Sequence, residues 1–311
     1  FLDNMYKIEG SLPTPASSVQ EIADFIECEC VRNTSISIIE AVKPILLSTD
    51  EIDIDGIEDE DDRFINKLES VVREIEKRKR ICNNRYPFEL VNKGYTIKVI
   101  NENYNYWVYA YLLLSTRLNM IKRKTLDNID GTQLLERLSA TIAKSYFGNR
   151  SQSLVFGTAT PGNFKEKVND LCKQIGEGLN FDNKNNISSS AQDDKLDVVV
   201  WTSFTDTNPS KVIGFGQCKT GTTWDDRNLT ELQAVTFCKK WFRYMPVVDP
   251  VRIFFSSQYF PENEWYTHAA NAGIVFDRFR ILDFLPDSLD DNLLTEIKTW
   301  SGKAIEVLKG N

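Results

Sequence analysis

Asp197 opens the apolar run VVVW, and twenty positions later Gln217 and Lys219 close a second apolar run, VIGFGQCK. Between the runs, TDTNPSK supplies the residues that favour turns. A turn centred near residues 207 and 208 makes the pair a β-hairpin and sets Asp197 across from residues 217 to 218. The two-residue period of a strand then puts Gln217 and Lys219 on one face. A carboxylate, an amide oxygen and an ammonium thus meet at one end of a sheet. Such a group suits hydrolysis of a phosphodiester with a divalent cation: oxygen ligands hold Mg²⁺ or Mn²⁺, and the lysine orients water and stabilises developing charge. Asp193 and Asp194 are competing acids, but they precede the strand and are expected as turn residues, so Asp197 is preferred.

The spacing Asp197-x19-Gln217-Cys-Lys219 resembles the D…(D/E/Q)-x-K signature of the PD-(D/E)XK, restriction-endonuclease-like nucleases. The segment GTQLLERLSATIAKSYFG resembles the first core helix of that superfamily, in which a glutamate helps to hold metal. The resemblance implies catalytic roles for four residues. Glu136, Asp197 and Gln217 become metal ligands, Gln217 through its side-chain carbonyl, and Lys219 becomes the catalytic lysine. Glutamine in place of the commoner acid is similar to the Gln-x-Lys variant of Mrr-type enzymes. Farther on, Gln233 and Phe237 resemble the Q-x-x-x-Y element of RecB-type nucleases, and Lys239, Lys240 and Arg243 follow as candidate phosphate contacts. Cys218 is expected on the opposite face as a small core residue, and His268 as a packing or helix-surface residue.

Several elements must position these groups. The resemblance covers about residues 131–285. In IDGTQLLERLSATIAKSYFGN, Thr132 is expected as the helix N-cap, with Leu134, Leu135, Leu138, Ile142 and Tyr146 on one apolar face. A helix over 165–176, the hairpin, a helix over 229–242, the strand VRIFFSS and a final helix and strand complete the order helix, strand, strand, helix, strand, helix, strand. Before it, residues 16–48 and 61–82 carry helical spacing, RYPFELVNKGYTIKVI predicts a strand or hairpin, and 104–120 a buried helix. The expected fold class is α/β (α+β): residues 131–311 form a restriction-endonuclease-like mixed sheet flanked by helices, and 1–125 form a mainly helical region serving regulation or partner binding.

Composition narrows the setting. In 311 residues, 41% hydrophobic content supplies a sizeable core, and no apolar stretch reaches the roughly 18 residues of a membrane span. The six cysteines are scattered, the only close pair is Cys28 and Cys30, and there is one histidine, which argues against a disulfide framework or a structural zinc site. With no leader-like N-terminus, a reducing, cytoplasmic location is expected. The net charge of −8 speaks against a protein that merely coats nucleic acid. Much of the acidity lies in the run 50–62, DEIDIDGIEDEDD, which is expected as a solvated loop, as is the polar stretch 181–194. The resemblance therefore implies an Mg²⁺-dependent DNA endonuclease of restriction or anti-phage defence, working with a helicase or ATPase subunit that delivers or opens DNA. The alternatives are an RNA nuclease and a nuclease-fold scaffold or DNA-binding subunit with a weakened site.

Overall fold

The computed structural model describes Ile8 and residues 12–46, 60–82, 84–158, 160–184, 194–222 and 227–309. Most of the acidic run and residues 185–193 lie outside these. The chain divides into two compact units: Phe1–Ile129 together with Leu294–Asn311, and Asp130–Leu293. The first break falls beside the expected start of the second region at residue 131, but residues from Leu294 on, expected in that region, cluster with the first unit.

The first unit is mainly helical. It contains α1 (Val19–Asn33), β1 (Ser35–Ser37), α2 (Ile38–Leu46), α3 (Glu60–Ile81), β2 (Phe88–Val91), β3 (Thr96–Val99), α4 (Tyr104–Arg117), α5 (Met120–Arg123), β4 (Thr125–Leu126) and the start of β5 (Ile129–Asp130). The sequence explains the main boundaries. Ser18 caps α1 in a reciprocal capping box with Glu21. Between β2 and β3, Asn92, Lys93 and Gly94 all take positive φ, so the chain reverses there into an antiparallel pair. Helix α4 buries Tyr106 and every residue from Val108 to Arg117, which is why its apolar residues show no one-sided stripe.

The second unit runs α6 (Gly131–Phe147), β6 (Ser151–Val155), α7 (Phe164–Ile175), β7 (Val198–Thr202), β8 (Ile213–Lys219), α8 (Ala234–Trp241), β9 (Val251–Ser256), α9 (Glu262–Ala272), β10 (Ile274–Phe276) and α10 (Arg278–Asp283). The last helix, α11 (Asp291–Lys309), crosses the division. One five-stranded mixed sheet has the order β10-β9-β8-β7-β6. Strands β6, β7 and β8 pair antiparallel, and β8, β9 and β10 pair parallel. Valines and a tryptophan in β7 suit a strand covered on both faces. On one face Val199, Trp201, Ile213 and Phe215 pack with Phe164, Val168 and Leu171 of α7 and Phe237 and Trp241 of α8. On the other, Gly214 lets Phe147 of α6 come close: a Cβ there would lie 3.0 Å from its ring and 2.9 Å from Val200.

Four local expectations change, and one holds. SQSLV, short and with two serines and a glutamine, carries no clear strand signal, yet it forms the edge strand β6. The N-cap of α6 is Asp130, whose carboxylate accepts from the Thr132 and Gln133 amides, because it sits one residue before the helix proper. Tyr146 is 43% exposed rather than on the buried face. The helix expected over 229–242 is interrupted: a 3₁₀ turn covers Asn228–Thr230, and α8 starts only after Gln233, which has extended backbone. Asp194 does lie in a turn, with φ 46°.

Candidate active site

The register of β7 and β8 pairs Val198 with Gly216 and Trp201 with Ile213, so its continuation sets Asp197 opposite Gln217. The Asp197 amide donates to the Gly216 carbonyl (2.9 Å), and the Cys218 amide donates to the Asp197 carboxylate (2.7 Å). The Asp197 carbonyl also accepts from the amides of Phe156 (2.7 Å) and Gly157 (3.0 Å), just past β6. One residue therefore ties three strand ends together.

Glu136 arrives from α6. It is 5% exposed, and its carboxylate accepts from the Thr158 hydroxyl (2.9 Å) and amide (3.3 Å). Gly157 shows how close the two acids come. A Cβ built on it would stand 2.7 Å from Glu136 Oε2 and 2.9 Å from Asp197 Oδ1, so both oxygens crowd the same point, and only glycine leaves that space open. The Cys218 thiol registers the same convergence. Burial pushes its pKa well above the usual thiol range, Asp197 and Glu136 raise it further, and Lys219 opposes them. Cys218 keeps some exposure at the end of β8, although its thiol lies inside.

Gln217 is 2% exposed. Its Nε2 donates to Glu231 Oε2 (2.9 Å), and its Oε1 is buried with no hydrogen-bond partner. Lys219 Nζ donates to the same Glu231 oxygen (3.2 Å), Lys195 approaches it at 3.9 Å, and Asn228 donates to Glu231 Oε1 (2.8 Å). Partial burial works against the charged form of Glu231. The Gln217 hydrogen bond and the nearby Lys219 outweigh it and hold the carboxyl below its usual range. Lys167 of α7 donates to the carbonyls of Phe156 (3.2 Å) and Gly157 (2.8 Å), the glycine that both carboxylates approach.

No family model, curated protein or solved structure significantly matches this chain. The chemistry of the site therefore rests on its own atoms. Among the described residues no three His, Cys, Asp or Glu side chains group as metal ligands. What the site offers a cation is two carboxylates and, on the strand paired with Asp197, an amide oxygen that is buried and unpartnered. A hard divalent cation that keeps several of its waters fits such an all-oxygen set, and the orphaned Gln217 oxygen is an acceptor for which a protein interior otherwise supplies a donor.

The remaining sequence candidates are exposed or have other partners. Gln233 donates to the Thr230 carbonyl (2.7 Å) ahead of α8, so it does not face the site from a helix as the Q-x-x-x-Y comparison implied. Lys239 is exposed on α8. Lys240 pairs with Asp194 (3.2 Å), and Arg243 pairs with Asp182 (2.9 Å) beyond the helix end, not on it. His268 packs on Phe260 and lies 3.4 Å from Glu264. Glu231, Gly157, Thr158 and Lys167 were not singled out from the sequence. No motif spacing connects Glu231 to the strand it serves.

Proposed function

We propose that this chain is a metal-dependent nuclease of the PD-(D/E)XK, restriction-endonuclease-like type that hydrolyses phosphodiester bonds in DNA. The observation that carries the reading is the meeting of the Glu136 and Asp197 carboxylates at Gly157, with Gln217 and Lys219 on the strand paired to Asp197. The mixed five-stranded sheet with helices on both faces supports it, as does the arrival of the glutamate from the helix that opens the unit.

In this reading Glu136, Asp197 and Gln217 Oε1 hold Mg²⁺ or Mn²⁺. The cation, when bound, polarises the phosphate and lowers the pKa of its water. Lys219 stabilises the charge that develops on the phosphate oxygens, an interaction that strengthens only toward the transition state. The net charge of −8 leaves little general attraction for nucleic acid, which favours a protein partner, such as a helicase or ATPase subunit, that brings DNA to the site in restriction or anti-phage defence.

The test is incubation of supercoiled plasmid, and separately of RNA, with the wild-type chain and Asp197→Ala in Mg²⁺, Mn²⁺ or EDTA. Nicking or linearisation of the plasmid is expected with either metal, and none with EDTA or Asp197→Ala. Cleavage of RNA alone would move the substrate to RNA. Absence of any metal-dependent difference between wild type and Asp197→Ala would leave a scaffold or DNA-binding subunit as the better reading.

A further inference from the structure

We propose that Glu231 is a positioning residue that decides which atom of Gln217 is offered to the metal. The inference rests on the nuclease reading of the site and adds a component to it. A glutamine side chain ends in an oxygen and an NH₂ of nearly equal shape, and only its surroundings choose which end points where. At 2% exposure, Gln217 has little water to choose for it. Glu231 makes the choice. A carboxylate 2.9 Å away repels an amide oxygen and accepts from an NH₂, so Nε2 turns toward Glu231 and Oε1 turns the other way, where it is buried and unpartnered.

Glu231 is in turn fixed through both of its oxygens. Oε2 receives Gln217 and Lys219, and Oε1 receives Asn228. An amide is a weaker ligand than the acid it replaces and ligates through one end only, whereas a carboxylate presents an oxygen at either end. Gln217 therefore needs an orienting partner that an acid at the same position would not need. Groups of this kind around metal ligands typically affect affinity by about 10–100-fold.

The test is a double-variant cycle read as Mn²⁺ affinity by calorimetry, with circular dichroism confirming that each chain is folded. In the Gln217 background, Glu231→Ala should weaken Mn²⁺ binding by about tenfold or more. Glu231→Gln keeps an acceptor for the Gln217 NH₂ without the charge, and it should recover most of that loss. In a Gln217→Glu background the sign should change. Two carboxylates now face each other, and Glu231→Ala should leave Mn²⁺ binding unchanged or tighten it. Equal weakening by Glu231→Ala in both backgrounds would mean that Glu231 acts by charge alone, and no weakening in the Gln217 background would mean that it does nothing; either overturns the proposal. Wild type and Asp197→Ala keep the two readings separate. If wild type binds Mn²⁺ no better than Asp197→Ala, the nuclease reading fails; if wild type does bind better and the sign change is absent, only the role of Glu231 fails.

Discussion

Each unit contains a cluster of buried polar groups, and the two follow opposite rules. In the first unit Arg78 is fully buried, with Nη1 2.8 Å from both Asp24 and Glu27 and Nε 3.0 Å from Glu74. Arg117 Nε takes the other Asp24 oxygen at 2.7 Å, and the hydroxyls of Tyr86 and Tyr109 donate to Glu27. Burial disfavours the charged guanidinium of Arg78, yet Glu27 and Asp24 together hold its pKa well above the ordinary arginine value. Every charge there meets its opposite within the cluster. In the second unit the Glu136 and Asp197 carboxylates crowd one point, with Thr158 and Cys218 among their donors, Lys219 donates to Glu231, and the buried Gln217 Oε1 has no hydrogen-bond partner. The first network is closed within the chain, whereas the second leaves one acceptor, Gln217 Oε1, open beside charged groups.

The largest expected effect lies in the closed network. Arg78→Ala leaves Asp24, Glu27 and Glu74 without their shared cation, and should destabilise the first unit by about 3–5 kcal/mol, read from its denaturant unfolding. A loss below about 1 kcal/mol would erase the contrast drawn here. Next comes Gly157→Ala, which drives a methyl group between the two carboxylates. It should weaken Mn²⁺ binding by about tenfold, as displaced ligands do, while the unfolding transition of the first unit stays where it was. An unchanged Mn²⁺ affinity would show that the Glu136 and Asp197 oxygens do not share a cation.

The smallest effect concerns pH. Burial raises the pKa of the Asp277 carboxyl, with hydrogen bonds from the Arg280 and Phe260 amides pulling the other way. Its folded-state pKa therefore lies above its unfolded one. The stabilisation from its proton is complete below the ordinary aspartate range and is lost as pH rises through the folded value. Asp277→Asn should flatten the pH dependence of stability just above the ordinary aspartate range. An unaltered slope would mean that the carboxyl is already ionised there.

Much of the site was legible because a hairpin is local. Apolar runs on either side of TDTNPSK fixed the turn, the turn fixed the register, and the register placed Asp197 across from Gln217, as the ladder has it. Helix α6 was equally clear from its leucines, though its cap was misplaced by two residues because Asp130 and Thr132 are both good capping types. The rest depended on tertiary contact. Glu231 meets Gln217 and Lys219 only because the chain breaks between the 3₁₀ turn at Asn228–Thr230 and α8, and a helical reading of 229–242 hides that break. Gly157 carries no signal in the sequence, because only the fold brings the two carboxylates to it. Lys240 and Arg243 were plausible phosphate contacts in sequence, but their carboxylate partners, Asp194 and Asp182, are far away along the chain. The return of residues from Leu294 to the first unit likewise carries no local signature.

In the proposed nuclease Lys219 takes part in the chemistry and not merely in the binding of nucleic acid. Single-turnover cleavage and salt-dependent DNA binding, measured for Lys219→Ala beside wild type, separate the two roles. An ammonium that acts on charge developed in the transition state predicts cleavage slower by roughly 10² or more, with DNA affinity and its salt slope nearly unchanged. Weaker binding, a salt slope smaller by about one and near-normal cleavage once DNA is bound would contradict it, and would make Lys219 a phosphate anchor.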